Sequence, residues 1–187
     1  MVARILDAGR QVLAEYGYEG ASTGRIATAA DISPGSLYQY FPNKDAIVLS
    51  VLDRFSNSLV SRVTARMTDE FEQPAPVIVH ATLETLLDGL DVERPLLRAA
   101  VEDGPRLDGG RTLRAFEERI GELVHAYLTT QRPALRAGLP LDAAVWTLVR
   151  TVEHVSVRYL LDEPPIPRER FLAELTHLSL SYLRAGD

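Results

Sequence analysis

The chain has 187 residues, 20 lysines and arginines against 26 aspartates and glutamates, a formal net charge of −6, 46% hydrophobic residues and no cysteine. The missing cysteine excludes disulfides, thiolate metal sites and a cysteine nucleophile. The longest uncharged run, Ile32 to Asn43, is far below the ~18 apolar residues of a membrane span, and Asp7, Arg10 and Glu15 interrupt any apolar leader. A cytoplasmic protein with no membrane partner is expected, with one sizeable core or two small units sharing one.

Apolar residues recur at helical spacing nearly throughout, and the β-branched alternation of strands is missing. The sequence therefore predicts an all-α fold of about nine helices. The first runs from about Val2 to Tyr16, with Ile5, Val12, Leu13 and Tyr16 inward and Gly17 at the stop. Ser22 caps a second helix from Thr23 to Ala30, and Ser33 caps a third from Pro34 to Tyr40, with the proline in the first turn where its missing N–H costs nothing. Asn43 caps a long fourth helix carrying Val48, Leu52, Phe55, Leu59, Val63, Met67 and Phe71, about 40 Å in length.

The prolines at 74 and 76 end the fourth helix. Helix five then spans Val77 to Leu90 and helix six Arg94 to Glu102, followed by a glycine-rich loop from Asp103 to Gly110. The seventh runs from Thr112 to Gln131 and Pro133 to Pro140 connects it onward. Two final helices, Leu141 to Leu161 and Arg168 to Arg184, are split by three prolines, so they should lie antiparallel. Both are apolar over more than one stripe, which suggests a core on one side and a partner on the other.

Three short helices in the first ~42 residues, with a turn of about three residues before the third, fit a helix-turn-helix. In the third helix Leu37 and Phe41 point inward, leaving Ser36, Tyr38, Gln39 and Tyr40 toward a groove, while Gly35 permits close backbone approach. Glutamine can pair bidentately with adenine, serine bonds several bases, and tyrosines suit phosphates and thymine methyls. Lys44, the only lysine, opens the fourth helix and can clamp a phosphate with the helix N-terminus.

At these residues the sequence closely resembles TetR-family transcriptional regulators. The resemblance rests on Arg4-Ile5-Leu6-Asp7-Ala8, Gly17, Ser22-Thr23, Ile26-Ala27 and the unbroken string from Ala30 to Asp45. It covers about the first 50 residues. It implies a helix-turn-helix DNA-binding domain over 1–46 and a helical effector-binding and dimerisation domain over 47–187. The implied protein is a homodimer on a pseudo-palindromic operator of double-stranded DNA, paired through its last two helices. By resemblance, Thr23, Tyr38, Tyr40 and Lys44 contact phosphates, and Arg25, Pro34, Gly35, Ser36 and Gln39 contact or abut bases. Asp31 stands where the family usually has glycine, and aspartate tolerates a left-handed turn better than most residues. The basic arm that many members carry ahead of the first helix is not seen, so its minor-groove contacts are not expected.

Chemistry elsewhere is sparse. His80, His125, His154 and His177 are widely spaced, so no metal or other cofactor is expected, and Glu122 with His125 and Glu174 with His177 read as surface pairs. The adjacent Glu153 and His154 point about 100° apart with no nucleophile motif beside them, so no catalytic residue and no enzyme activity are expected. Polar and aromatic residues on otherwise apolar helices mark a candidate small-molecule pocket: His80, Phe116, Tyr127, Trp146, Arg150, Glu153 and His154.

The sequence thus reads as a ligand-responsive DNA-binding repressor released by a small, largely hydrophobic effector. Two alternatives stand beside it. One is a helical enzyme or carrier with a vestigial head; the other is a regulator with no small ligand, which would show a solid core between helices five, seven and eight. The charge does not oppose the first reading. Residues 1–66 hold seven basic and six acidic residues, and residues 67–187 hold 13 and 20, so the negative balance belongs to the body. A head at net +1 has few nonspecific phosphate contacts to offer, which predicts a shallow salt dependence per protomer and a strong need for dimerisation.

Overall fold

The computed structural model describes residues 1–108 and 110–184. Among them are ten α-helices, one short 3-10 turn and no strand. In chain order the helices are α1 (Val2–Gly20), α2 (Thr23–Ala29), α3 (Pro34–Tyr38), α4 (Lys44–Asp69), α5 (Ala75–Val92), α6 (Arg94–Glu102), α7 (Gly104–Asp108), α8 (Arg111–Thr130), α9 (Leu141–Asp162) and α10 (Arg168–Leu183). None is long and apolar enough to cross a membrane. The chain divides into two compact units, Met1–Ser58 with Glu93–Ala115, and Leu59–Val92 with Phe116–Asp187.

In the first unit, α1 to α3, the start of α4 and Leu96 of α6 close on one core. Ile5, Ile26, Leu37, Ile47 and Val48 have no exposed surface there. Helix starts follow the polar caps: Ser22 accepts from the Arg25 N–H at 3.2 Å, Ser33 from the Ser36 N–H at 3.0 Å and Asn43 from the Ala46 N–H at 2.9 Å. Each satisfies a donor that the first turn leaves without an intrahelical partner. α1 and α4 approach closely at Gly9, where an added Cβ would meet Ile47 Cγ2 at 3.0 Å and Val51 Cγ2 at 3.2 Å.

Two boundaries differ from the sequence expectation for physical reasons. At Gly17, φ is +65° and helical geometry breaks, as the stop signal predicts, but one more turn follows to Gly20 and carries Tyr18 into the core. Asp103 to Gly110, expected as a loop, contains α7. Pro105 falls in its first turn, where proline is tolerated, and Leu107 N–H reaches the Asp103 carbonyl at 2.9 Å. Asp108 then caps α8, accepting from the N–H groups of Gly110, Arg111 and Thr112 and from the Thr112 hydroxyl at 2.7–3.0 Å. Burial works against its ionised form, but the bonds from Thr112, Gly110 and Arg111 outweigh burial and hold the carboxyl below its ordinary value.

The second unit packs the end of α4, α5, most of α8, α9 and α10. Gly89 on α5 sits where an added Cβ would collide with Leu59 Cδ1. Arg168 at the start of α10 pairs with Asp88 and Asp91 of α5. The link between α9 and α10 turns through Glu163 in the left-handed region, φ +48°. Tyr159 closes it by donating to the Ile166 carbonyl at 2.9 Å and stacking on Phe171 at 3.9 Å between ring centres. The two expected glutamate–histidine surface pairs are corrected: His125 faces Asp142 across helices at 3.3 Å, and Glu174 pairs with Arg170 at 2.7 Å.

Candidate nucleic-acid interface and effector cavity

α3 is one and a half turns long and is held by two anchors. Leu37 is wholly buried and Phe41 is 8% exposed. The remaining surface of the helix is open: Pro34, Gly35 and Gln39 are exposed, and Tyr38 and Tyr40 show 54% and 45% of their surface. Neither tyrosine is a core residue. The α3 ladder tightens at its end, with the Tyr40 and Phe41 N–H groups both reaching the Leu37 carbonyl at 3.0 Å, so Tyr40 lies just beyond the helix.

The other residues of the expected interface are partly committed to neighbours. Thr23 Oγ1 and Tyr38 OH share a hydrogen bond at 3.1 Å, tying the first residue of α2 to α3. Ser36 Oγ bonds Ser33 Oγ at 2.9 Å. Arg25 donates to the Gly20 carbonyl and lies 4.5 Å over the Tyr16 ring. Asp31, in the turn between α2 and α3, is left-handed at φ +51°. Lys44 donates to the Tyr18 carbonyl at 3.0 Å and sits 3.8 Å over the Tyr18 ring, with ammonium protons to spare.

Tyr18 had no place in the sequence expectation, yet it organises this corner. Its hydroxyl donates to Asp45 at 2.7 Å, and the Arg106 guanidinium of α7 lies 4.7 Å over its ring. Burial raises its phenol, the bond to Asp45 adds to that, and Arg106 opposes it. The signal was faint: an aromatic residue directly after the glycine that breaks α1.

The second unit encloses a cavity of about 120 Å³ between α4, α5, α8, α9 and α10. Its wall is hydrocarbon from Val63, Met67, Ile78, Leu86, Ile120, Leu148 and their neighbours, interrupted by Thr82, Tyr127, Glu153 and Ser179. Of the seven pocket candidates, Phe116, Tyr127 and Glu153 line it. Trp146 and Arg150 instead line a separate open groove of about 540 Å³ on the same unit, with Glu117, Glu118, Glu122, His125 and Asp142. His80 bonds Thr176 at 3.2 Å and His154 is exposed. A solid core between α5, α8 and α9 is thus ruled out, and with it the sign expected of a regulator lacking a small ligand.

Two features of the cavity carry energy. The Thr82 hydroxyl is buried without a hydrogen-bond partner. Burial first, and then the nearby Glu117 carboxylate, push Glu153 up to about 7 against the opposing pull of Arg150. Arg150 itself is paired with Glu117, which is 7% exposed, and lies 5.0 Å over the Trp146 ring.

Known proteins share this fold. Residues 5–51 match the model of bacterial regulatory proteins of the tetR family, and residues 74–183 match a tetracyclin repressor-like C-terminal domain. The HTH-type transcriptional repressor DhaR of Mycobacterium sp. (strain GP1) is 26% identical over 172 residues, 90% of this chain and 86% of that protein. The solved fatty acid degradation regulator FadR from Bacillus halodurans superposes with a TM-score of 0.78 at 19% identity, covering 96% of this chain and 94% of that one. FadR from Bacillus subtilis, solved in complex with stearoyl-CoA, gives 0.74 at 18% identity, covering 98% and 100%.

Proposed function

The chain belongs to the tetR family of bacterial regulatory proteins, and on that premise we propose that it is a homodimeric cytoplasmic repressor. It reads a pseudo-palindromic operator with α3 and releases it when a small, largely hydrophobic effector fills the cavity of the second unit. The observation that carries this reading is the division of α3: Leu37 buried, and Tyr38, Gln39 and Tyr40 open to solvent beside Gly35. A buried anchor fixes the helix while its polar edge remains free for base edges and phosphates.

In this reading residues 1–46 are the DNA-binding head and 47–187 the effector and dimerisation body. Gln39 and Ser36 read bases, with Pro34, Gly35 and Arg25 against them. Tyr38, Tyr40, Thr23 and Lys44 hold phosphates. The second copy docks on α9 and α10, whose solvent faces carry Ala143, Thr147, Val155, Ala173 and Leu178, small or apolar residues suited to close helix packing. α4 supplies residues to both units, Ile47 and Val51 to the head core and Val63 and Met67 to the cavity wall. An occupant that shifts α4 changes the presentation of the reading heads.

Operators are obtained by selecting bound sequences from a random DNA pool with the full-length protein. Gln39→Ala, at an exposed position, is expected to relax preference at one base pair of each half-site while leaving the fold intact, at about 1–3 kcal/mol of discrimination. Combined loss of Tyr38 and Lys44 abolishes specific binding. Binding that survives all three changes would sink the reading. Metabolite screening for operator release then identifies the effector.

A further inference from the structure

The four polar interruptions of the cavity wall are not equivalent. Ser179 donates to the Leu175 carbonyl of its own helix at 2.8 Å, and burial raises the Tyr127 phenol, which therefore stays neutral. Thr82 Oγ1 is buried and unsatisfied. Glu153 is the one carboxyl in the lining, and Arg150 is the cation that favours its charged form.

The charges around Glu153 do not balance. The guanidinium one turn before it, Arg150, is committed to Glu117 of α8, so two carboxylates share one cation. Burying an unmatched carboxylate is costly, and the group retreats toward its neutral form. Glu153 is pushed up to about 7 by burial and by Glu117, so its neutral form is favoured well above the usual carboxylate range. Its proton stands where a ligand cation would be more effective.

The neighbouring groove has the same sign. The open groove shares Val149 with the cavity and is rimmed by Glu118, Glu122 and Asp142. A groove with this excess of carboxylates concentrates cations and repels anions. Trp146, 62% exposed in the groove, already holds the Arg150 guanidinium 5.0 Å over its ring, so cations are favoured at this ring.

Resting on the reading of this cavity as the effector site, we propose that the effector is a hydrophobic amine. Its hydrocarbon body fills the apolar wall, and its protonated nitrogen donates to the Glu153 carboxylate, with the unsatisfied Thr82 oxygen among the remaining acceptors. A carboxylate or other anionic head of the same length meets like charge at Glu153 and at the groove. This separates the chain from its structural neighbour solved with stearoyl-CoA.

Calorimetric titration of the full-length protein at pH 8 with octylamine, octanol and octanoate tests this. Octylamine is expected to bind at least about tenfold more tightly than octanoate, with octanol between them. Glu153→Gln, which removes the charge at constant shape, should bring the three within about threefold of one another while keeping octanol affinity. Equal binding of octylamine and octanoate by the wild type, a ranking that needs no variant, would overturn the amine assignment. So would a preference for octylamine that survives Glu153→Gln. Val152→Trp, which fills the cavity, separates the two levels. Octanol binding lost in that variant supports the cavity as the effector site whatever the charge preference. Failure of all three ligands to bind the wild type overturns the site and the assignment together.

Discussion

Both units are made of amphipathic helices, yet one is filled and the other is hollow. In the first, five side chains have no exposed surface, and a methyl group at Gly9 would press to 3.0 Å from Ile47 Cγ2 and 3.2 Å from Val51 Cγ2. In the second, comparable aliphatic residues stop short of one another and leave about 120 Å³, an unsatisfied threonine hydroxyl and a carboxyl held near neutrality. Close packing fixes the position of a short helix whose buried anchors are Leu37 and Phe41. Room and imperfect solvation are what the proposed effector would relieve.

The contrast can be broken by substitution. Leu37→Ala removes the anchor of α3 from a core without slack, so it should cost about 3 kcal/mol in urea denaturation and abolish operator binding. Ala27→Leu, overfilling the same core, should cost about 2 kcal/mol, whereas Val152→Leu on the cavity wall should be neutral or stabilising. If both enlargements cost the same, the second unit is as tightly packed as the first and the comparison fails.

The Glu153 carboxyl gives the next effect. Its native proton affinity is raised above the ordinary value, so the folded protein binds more protons than the unfolded chain, and this group's contribution falls as pH rises from about 4.5 to about 7. Glu153→Gln should therefore match wild type near pH 4.5 and exceed it by about 1–2 kcal/mol at pH 8, allowing for solvent screening of a partly exposed group. Denaturation midpoints at the two pH values measure the difference, and a gain at pH 4.5 that vanishes at pH 8 would reverse the sign. Smallest is Thr82→Val, which replaces the orphaned hydroxyl with a methyl and should stabilise by about 1 kcal/mol in the same assay.

The head was far more legible in the sequence than the cavity. Ser22, Ser33 and Asn43 are short polar side chains set before helical runs, and each caps the helix expected of it. α6 begins and ends where proline and the apolar spacing place it, at Arg94 and Glu102. α7 was hidden because Gly104 and Pro105 are loop residues by composition yet acceptable in a first helical turn. In the body, the pattern shows which stripes of a helix are apolar but not which of two neighbours each stripe meets. Phe116, Tyr127 and Glu153 fall on the hollow side, while Trp146 and Arg150, on the same helices or one turn away, fall on the groove. Thr82 gave no signal, since a single threonine on an apolar helix ordinarily returns its proton to its own backbone.

In the proposed switch, an occupant of the cavity weakens the grip of α3 on the operator. This is tested most directly by fluorescence anisotropy of a selected operator titrated with the full-length protein, with and without saturating octylamine. Operator affinity is expected to fall by at least about tenfold when the cavity is occupied. Octylamine bound by calorimetry, with operator affinity unchanged, would contradict it.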